Sequence, residues 1–281
     1  LYVMNGFDAK SFVVLVKKEK ITHTFLVPPQ FSTILSLESL QRDCFSSLKT
    51  VLSAGSPLRL DIKENILSAI SENLFELYGF SEGFATMLKP YDQREKFGSV
   101  GTPVLGFEIK IIDEKGRECS PNVAGEIAGY GAGMMKEYYG EEELTNNLMW
   151  TDGRGRSFIK SGDIGSLDED GYLTILDRKK DMIISGGLNV FPVDIEEVVI
   201  KHPDIIDVTV IGVPHEKWGE TCLALIIPKH GIEMNCDEVK TWCNEKLAKH
   251  QRLHNVEIRE EFPRNALGKV LKRVLREPYW A

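Results

Sequence analysis

The sequence lacks a long apolar run: the longest unbroken one, Cys222 to Ile227, has six residues, far short of the ~20 needed to cross a bilayer. Asn5, Asp8 and Lys10 interrupt the start, so no signal peptide is expected in the sequence given. Basic residues are not in excess. Lys and Arg number 34 against 42 Asp and Glu, a net charge of -8, which argues against a protein built to neutralise a nucleic-acid backbone. Five cysteines, an odd number without a C-x-x-C pair, argue against a disulfide framework and point to reduced, cytoplasmic thiols. Internal repeats, low-complexity stretches and the phosphate signature G-x-x-x-x-G-K-[ST] are also absent. The run Gly129-Tyr130-Gly131-Ala132-Gly133 has Lys136 where a dinucleotide loop needs glycine. His250 and His254 are four apart, but no acid or third ligand accompanies them, so a zinc site is not expected.

What remains is enough for a folded protein of about two domains: 281 residues, 42% hydrophobic and 27% charged. The chain begins with Leu1 in what reads as mid-fold, and a fragment is expected. The net negative charge lies in residues 1–177, whereas 178–281 balance. Arg264, Lys269, Lys272, Arg273 and Arg276 form an acid-free basic tail, readable as an anion or docking site or as a solvated helix face.

Residues 11–16, 22–27, 48–52 and 73–77 read as strands and 58–70 as an amphipathic helix. Such alternation predicts a mostly parallel sheet with ligands at its strand ends. Residues 107–112, 125–129 and 171–176 are short strands separated by Asp-Glu-Lys-Gly and Asp-Glu-Asp-Gly turns, which predicts an antiparallel unit. Beyond a boundary at 176–178, helices are expected over 193–200 and 236–249, strands over 208–213, 222–227 and 256–259, and a basic helix from Arg264 onward. That makes an α+β module.

Several short polar motifs stand at element ends. Tyr78-Gly79-Phe80-Ser81-Glu82 offers a ring for a base, a hydroxyl for a phosphate and a carboxylate for a metal, or simply a tight turn with a core tyrosine. Lys160-Ser161-Gly162-Asp163 could grip vicinal hydroxyls or make a turn. Ser185-Gly186-Gly187 could border a narrow ligand channel or serve a plain hairpin. Lys269 follows Gly268 on a loop, where a lysine is often just solvated.

Together and in this order, the motifs resemble the C-terminal half of the adenylate-forming enzymes: acyl- and aryl-CoA ligases, luciferase and peptide-synthetase adenylation domains. Ser53-Ala54-Gly55-Ser56-Pro57-Leu58 is similar to the acyl- and adenine-pocket segment, and residues 78–82 to the Tyr-Gly-x-Thr-Glu motif. Residues 160–163 resemble the ribose-binding Gly-Asp, 177–192 the hinge and following loop of CoA ligases, and 263–269 the terminal Pro-x-x-x-x-Gly-Lys. Ser81, Leu188 and Asn265 replace the more usual threonine, glutamate and threonine.

The resemblance implies an α/β fold with an α+β lobe. Residues 1–176 would be part of the large AMP-binding domain (1–95 α/β, 96–176 β-rich) and 177–281 a small mobile lobe hinged at Asp177. It implies ATP-dependent activation of a carboxylic acid to an acyl-adenylate, then thioester formation with coenzyme A. Lys269 would bridge carboxylate and α-phosphate, and Glu82 would hold Mg2+. Gly55, Ser56, Tyr78, Gly79, Ser81, Asp163 and Arg178 would bind ATP or AMP, Tyr78 stacking on adenine and Asp163 meeting the ribose. Lys180, Ser185, Gly186 and Gly187 would line the coenzyme A channel. The family's phosphate-covering loop would lie upstream of residue 1, so the chain alone is expected to bind AMP weakly without ATP–pyrophosphate exchange. Adenylation for a carrier-protein thiol and a non-catalytic nucleotide-binding module are the alternatives. The acid is read only as fatty or aryl.

Overall fold

The computed structural model describes every residue except Ser39, Ala266, Leu267 and Ala281. The chain forms two compact units: residues 1–161 with 165–175, and residues 162–164 with 176–281.

The first unit opens with helix α1 (Ala9–Glu19), not the strand expected over 11–16. Local β-branching suggested a strand, but Asp8 caps the helix by accepting the Ser11 N–H at 2.7 Å. Ala9, Phe12 and Val16, at helical spacing, then bury one face. Burial of a stripe outweighs the intrinsic propensity of Val13 and Val14. Strand β1 (His23–Leu26) is followed by α2 (Pro28–Leu35). The two prolines end the strand and also open the helix, since a first-turn proline lacks only an N–H that would have no helical partner.

Next come β2 (Thr50–Ser53), α3 (Leu60–Ala69), β3 (Leu74–Gly79), β4 (Ala85–Leu88) and β5 (Thr102–Pro103). They form one sheet in the order β1-β2-β3-β4-β5, parallel through β3 and antiparallel beyond. Phe31, Ile34, Val51, Ile66 and Leu74 form its core. Lys63 of α3 is fully buried, with Nζ 2.8 Å from the Glu76 carboxylate and 2.6 Å from the Phe97 carbonyl.

The chain continues with β6 (Phe107–Ile112), β7 (Gly125–Gly131), α4 (Glu142–Leu148), β8 (Met149–Thr151), β9 (Ser157–Leu167) and β10 (Leu173–Arg178), all in the first unit save residues 162–164 and 176–178. Their sheet runs β10-β9-β7-β6, with β8 on β9. The acidic turns are held by their first aspartates: Asp113 accepts the N–H groups of Lys115 and Arg117, and Asp168 those of Asp170 and Tyr172. Gly129 is required by packing, because a Cβ there would lie 1.9 Å from the Phe84 ring. That glycine-rich run makes room for aromatic rings.

In the second unit, β11 (Ile183–Ser185) and β12 (Leu188–Val190) precede α5 (Pro192–Val199), β13 (Ile205–His215), β14 (Gly219–Pro228), α6 (Cys236–Asn244), β15 (Leu253–Ile258) and α7 (Lys272–Arg276). The sheet order is β12-β11-β14-β13, with β15 parallel to β14. One face packs Ile195, Val199, Val239, Cys243 and Val256; the other, through Ile211, Leu223 and Leu225, is covered by Phe262, Val270, Leu275 and Tyr279. Coverage on both faces explains why β14 carries the chain's longest apolar run. Helix α6 stops at Asn244, short of the expected 249, because the Asn244 amide bonds the N–H and carbonyl of Leu253 at 2.7 and 3.0 Å. Among the described residues of the basic tail, the α-helix runs from Lys272 to Arg276. Among the described residues no helix is long and apolar enough to cross a membrane.

Candidate functional site

In the first unit, β2 and β3 are parallel neighbours with Ser53 opposite Glu76. Their carboxyl ends therefore point the same way, Gly55 and Ser56 following β2 while Tyr78 and Gly79 end β3 and Ser81 and Glu82 follow it. Gly55 has φ 94°, a left-handed turn that favours glycine. Ser53 Oγ is buried without a hydrogen-bond partner among the described residues.

Strand β3 carries Tyr78 and Gly79, so the turn falls two residues later than the start of the motif. Tyr78 is half-buried and edge-on to Phe84, ring centres 6.0 Å apart. A Cβ on Gly79 would approach the Phe84 carbonyl to 2.5 Å, so only glycine fits. Ser81 is exposed and Glu82 half-buried. The Glu82 backbone carbonyl accepts the Met135 N–H at 2.8 Å, and its Oε1 accepts the Tyr138 hydroxyl at 2.7 Å. That bond to a carboxylate raises the Tyr138 phenol above its ordinary pKa.

Asp163 falls in the second unit with Gly162 and Ile164. Its Oδ1 lies 3.4 Å from Arg178 Nε. Asp177 accepts the Arg178 N–H on Oδ1 at 2.6 Å, while Oδ2 is enclosed with no hydrogen-bond partner among the described residues. Burial pushes the Asp177 carboxyl up to about 6, against the pull of Lys272 and with added repulsion from Glu196 and Asp181.

The described residues of the terminal motif are tied to one another. Asn265 accepts the Lys269 N–H on its side chain at 2.9 Å, Gly268 has φ 81°, and Arg264 bridges in strand fashion to Val270. Ala266 and Leu267 of this motif lie outside the described residues. The Lys269 ammonium is held below the ordinary lysine pKa, first by burial and then by Arg178, against the attraction of Asp163, Asp181 and Asp177. Lys269, Asp163, Arg178 and Asp177 thus share one electrostatic neighbourhood within the second unit.

The basic tail is neutralised from within. Arg264 pairs with Asp207, Lys272 with Glu196 at 2.8 Å and Arg273 with Glu277 at 2.7 Å. Arg276 donates to the Lys180 carbonyl at 2.7 Å and lies 4.0 Å from Asp181 and Glu220. Four of its five cations are thus paired within the second unit, while the Arg273–Glu277 pair stays exposed. Ser185 ends β11, and Gly186 and Gly187, both left-handed at φ 59° and 82°, form the two-residue turn into β12. Gly186 lies against Trp218, whose ring would be 2.9 Å from an added Cβ, whereas Gly187 faces open space.

His254 pairs with His215, rings 5.3 Å apart, and not with His250, because His254 belongs to β15. No group of three or more His, Cys, Asp or Glu among the described residues is placed to hold a metal. Glu82 suits Mg2+, a hard cation that takes one or two carboxylates and completes its shell with water and substrate phosphates. Sequence reasoning missed Tyr138, Glu196 and the pairing of Lys272. The only local signal for any of them was an acid within the otherwise apolar face of α5.

A model described as AMP-binding enzyme matches residues 1–139, and one described as AMP-binding enzyme C-terminal domain matches residues 194–269. The chain is 31% identical to a feruloyl-CoA synthase of an Amycolatopsis species over 98% of its own length and 55% of the relative's. It is 33% identical to a long-chain-fatty-acid–CoA ligase of Salmonella typhimurium, over 99% of the chain and 48% of the ligase. The crystal structure of ATP-bound MatB from Rhodopseudomonas palustris superposes with a TM-score of 0.91 at 30% identity, over 99% of this chain and 54% of that one. The chain spans about half the length of the curated relatives it matches.

Proposed function

The chain belongs to the AMP-binding enzyme family, and from that premise we propose that the protein carrying it is an AMP-forming acyl-CoA ligase. It would activate a fatty or aryl carboxylic acid with ATP and pass the acyl group to the thiol of coenzyme A in the cytoplasm. The activities named for the relatives support the substrate class, and five free cysteines are compatible with a reducing compartment.

The observation that carries this reading is the grouping of Lys269 with Asp163, Arg178 and Asp177. Attack of a carboxylate on an α-phosphate brings two anions together. A lysine ammonium facing both lowers that repulsion and stabilises the charge of the transition state. Lys269 would fill this role, its depressed pKa reflecting an enclosed site in which a charge acts strongly. Asp163 would accept hydrogen bonds from both ribose hydroxyls, with Arg178 as a donor beside them. Tyr78 would stack on adenine, Gly55, Ser56 and Gly79 would border the nucleotide, and Ser81 would meet the α-phosphate. Glu82 would hold Mg2+, which when bound neutralises phosphate charge.

Asp177 would be the hinge between the adenylation and thioester-forming steps, with residues 1–176 and 177–281 as the two domains. Lys180, Ser185, Gly186 and Gly187 would then border the pantetheine channel; the open space at Gly187 supports this.

In the complete protein, Lys269→Ala should lower acid-dependent ATP–pyrophosphate exchange by ~10²-fold or more, the usual cost of a lost transition-state donor. Thioester formation from supplied acyl-adenylate should survive. Equal loss of both half-reactions would remove Lys269 from the role.

A further inference from the structure

We infer that Tyr138 is a positioning residue for the Glu82 carboxylate, fixing one of its oxygens so that the other is presented to a divalent cation. The inference rests on the proposed Mg2+ role of Glu82 and extends it to a residue 56 positions away.

A glutamate at the tip of a turn has three rotatable side-chain bonds, and a cation gains most from a ligand whose rotamer is already set. Here the side chain is tied at one oxygen. Tyr138 donates to Glu82 Oε1 at 2.7 Å, and Oε2 has no hydrogen-bond partner among the described residues. The tyrosine is itself held. Its N–H donates to Thr145 Oγ1 at 3.0 Å, and Thr145 Oγ1 donates to the Glu141 carbonyl at 2.9 Å, in the first turn of α4. Thr145 is buried. The backbone bond from Met135 N–H to the Glu82 carbonyl fastens the two segments a second time. A rigid relay thus runs from α4 through Thr145 and Tyr138 to Glu82, and among the described residues the tyrosine hydroxyl is its only link to the carboxylate itself.

A phenol suits this task. It donates one proton to the carboxylate without bringing a positive charge that would compete with the cation. The adjacent Tyr139 is fully exposed and makes no such bond among the described residues.

The test uses the complete protein with ATP and no acid substrate, so that nothing turns over. Mn2+ is titrated in and followed by electron paramagnetic resonance, while AMP binding is measured separately in the presence of a chelator. Tyr138→Phe keeps the ring and removes the hydroxyl. It should weaken Mn2+ binding in the ATP complex by ~10-fold, the usual effect of losing the partner that orients a metal ligand. Metal-free AMP binding should stay unchanged. Thr145→Val, which loosens the tyrosine from α4, should weaken Mn2+ binding in the same direction but less. Glu82→Gln is the reference. If Glu82→Gln loses Mn2+ and Tyr138→Phe does not, the positioning role is overturned and the Glu82 assignment stands. If neither loses Mn2+, both fail. If Tyr138→Phe weakens metal-free AMP binding as much as Mn2+ binding, the tyrosine only supports the fold and the inference is likewise overturned.

Discussion

Replacing Asp177 by asparagine isolates the effect of one enclosed charge. The residue as a whole is half-buried, but its Oδ2 atom is sealed from solvent without a partner among the described residues. Burial raises the carboxyl from 3.8 in an unfolded chain to about 6 in the fold, with Lys272 opposing.

Between those two values the folded protein keeps a proton that the unfolded chain has released. Stability therefore falls as pH rises through this window, and the full penalty applies above pH 6. A displacement of about two units at ~1.4 kcal/mol each sets an upper limit near 3 kcal/mol. Partial exposure of the residue, and the neighbour that Lys272 loses, reduce it, leaving about 1–3 kcal/mol. The amide that replaces the carboxylate carries no charge to desolvate and keeps an oxygen for the Arg178 N–H.

Urea unfolding of wild type and Asp177→Asn at pH 4, 6 and 7.5 measures the difference directly. The variant should be more stable by about 1–3 kcal/mol at pH 7.5 and nearly equal to wild type at pH 4. A gain independent of pH, or a loss at pH 7.5, would refute the account of Asp177 as a carboxylate whose burial outweighs its attraction to Lys272.

Two further outcomes concern packing. Lys63→Met leaves Glu76 buried and alone. It should cost about 3–5 kcal/mol by urea unfolding, whereas Lys63→Met with Glu76→Leu should recover most of that; a neutral single variant would show that the pair carries no buried charge. Gly186→Ala combines a left-handed backbone with contact against Trp218, and Gly187→Ala has only the backbone strain. The first should cost about 1–2 kcal/mol more than the second, and equal melting temperatures would deny the Trp218 contact.

What could be read in the sequence was what nearby residues decide. The strand at 107–112 and the acidic turns were legible because the aspartates that close the turns sit beside the strands they join. Helix α3 showed its apolar stripe. Helix α1 did not, because Val13 and Val14 look locally extended and the cap at Asp8 lies outside the run.

The candidate site divided in the same way. Each motif was visible at an element end, but the partners that set its chemistry were not. Glu82 meets Tyr138 across 56 residues, and Lys272 meets Glu196 from the opposite end of the second unit. Such pairings follow from which strands lie side by side, and no periodicity records that. Asp163 groups with the second unit although most of β9 belongs to the first, an allegiance that strand prediction has no means to express.

The return of α7 to Lys180 and Asp181 closes a circuit. Both contacts lie within the second unit, so α7 and the segment after β10 are held to one another although 96 positions separate Arg276 from Lys180. Loss of the Arg276 side chain would therefore release the two segments from each other at once.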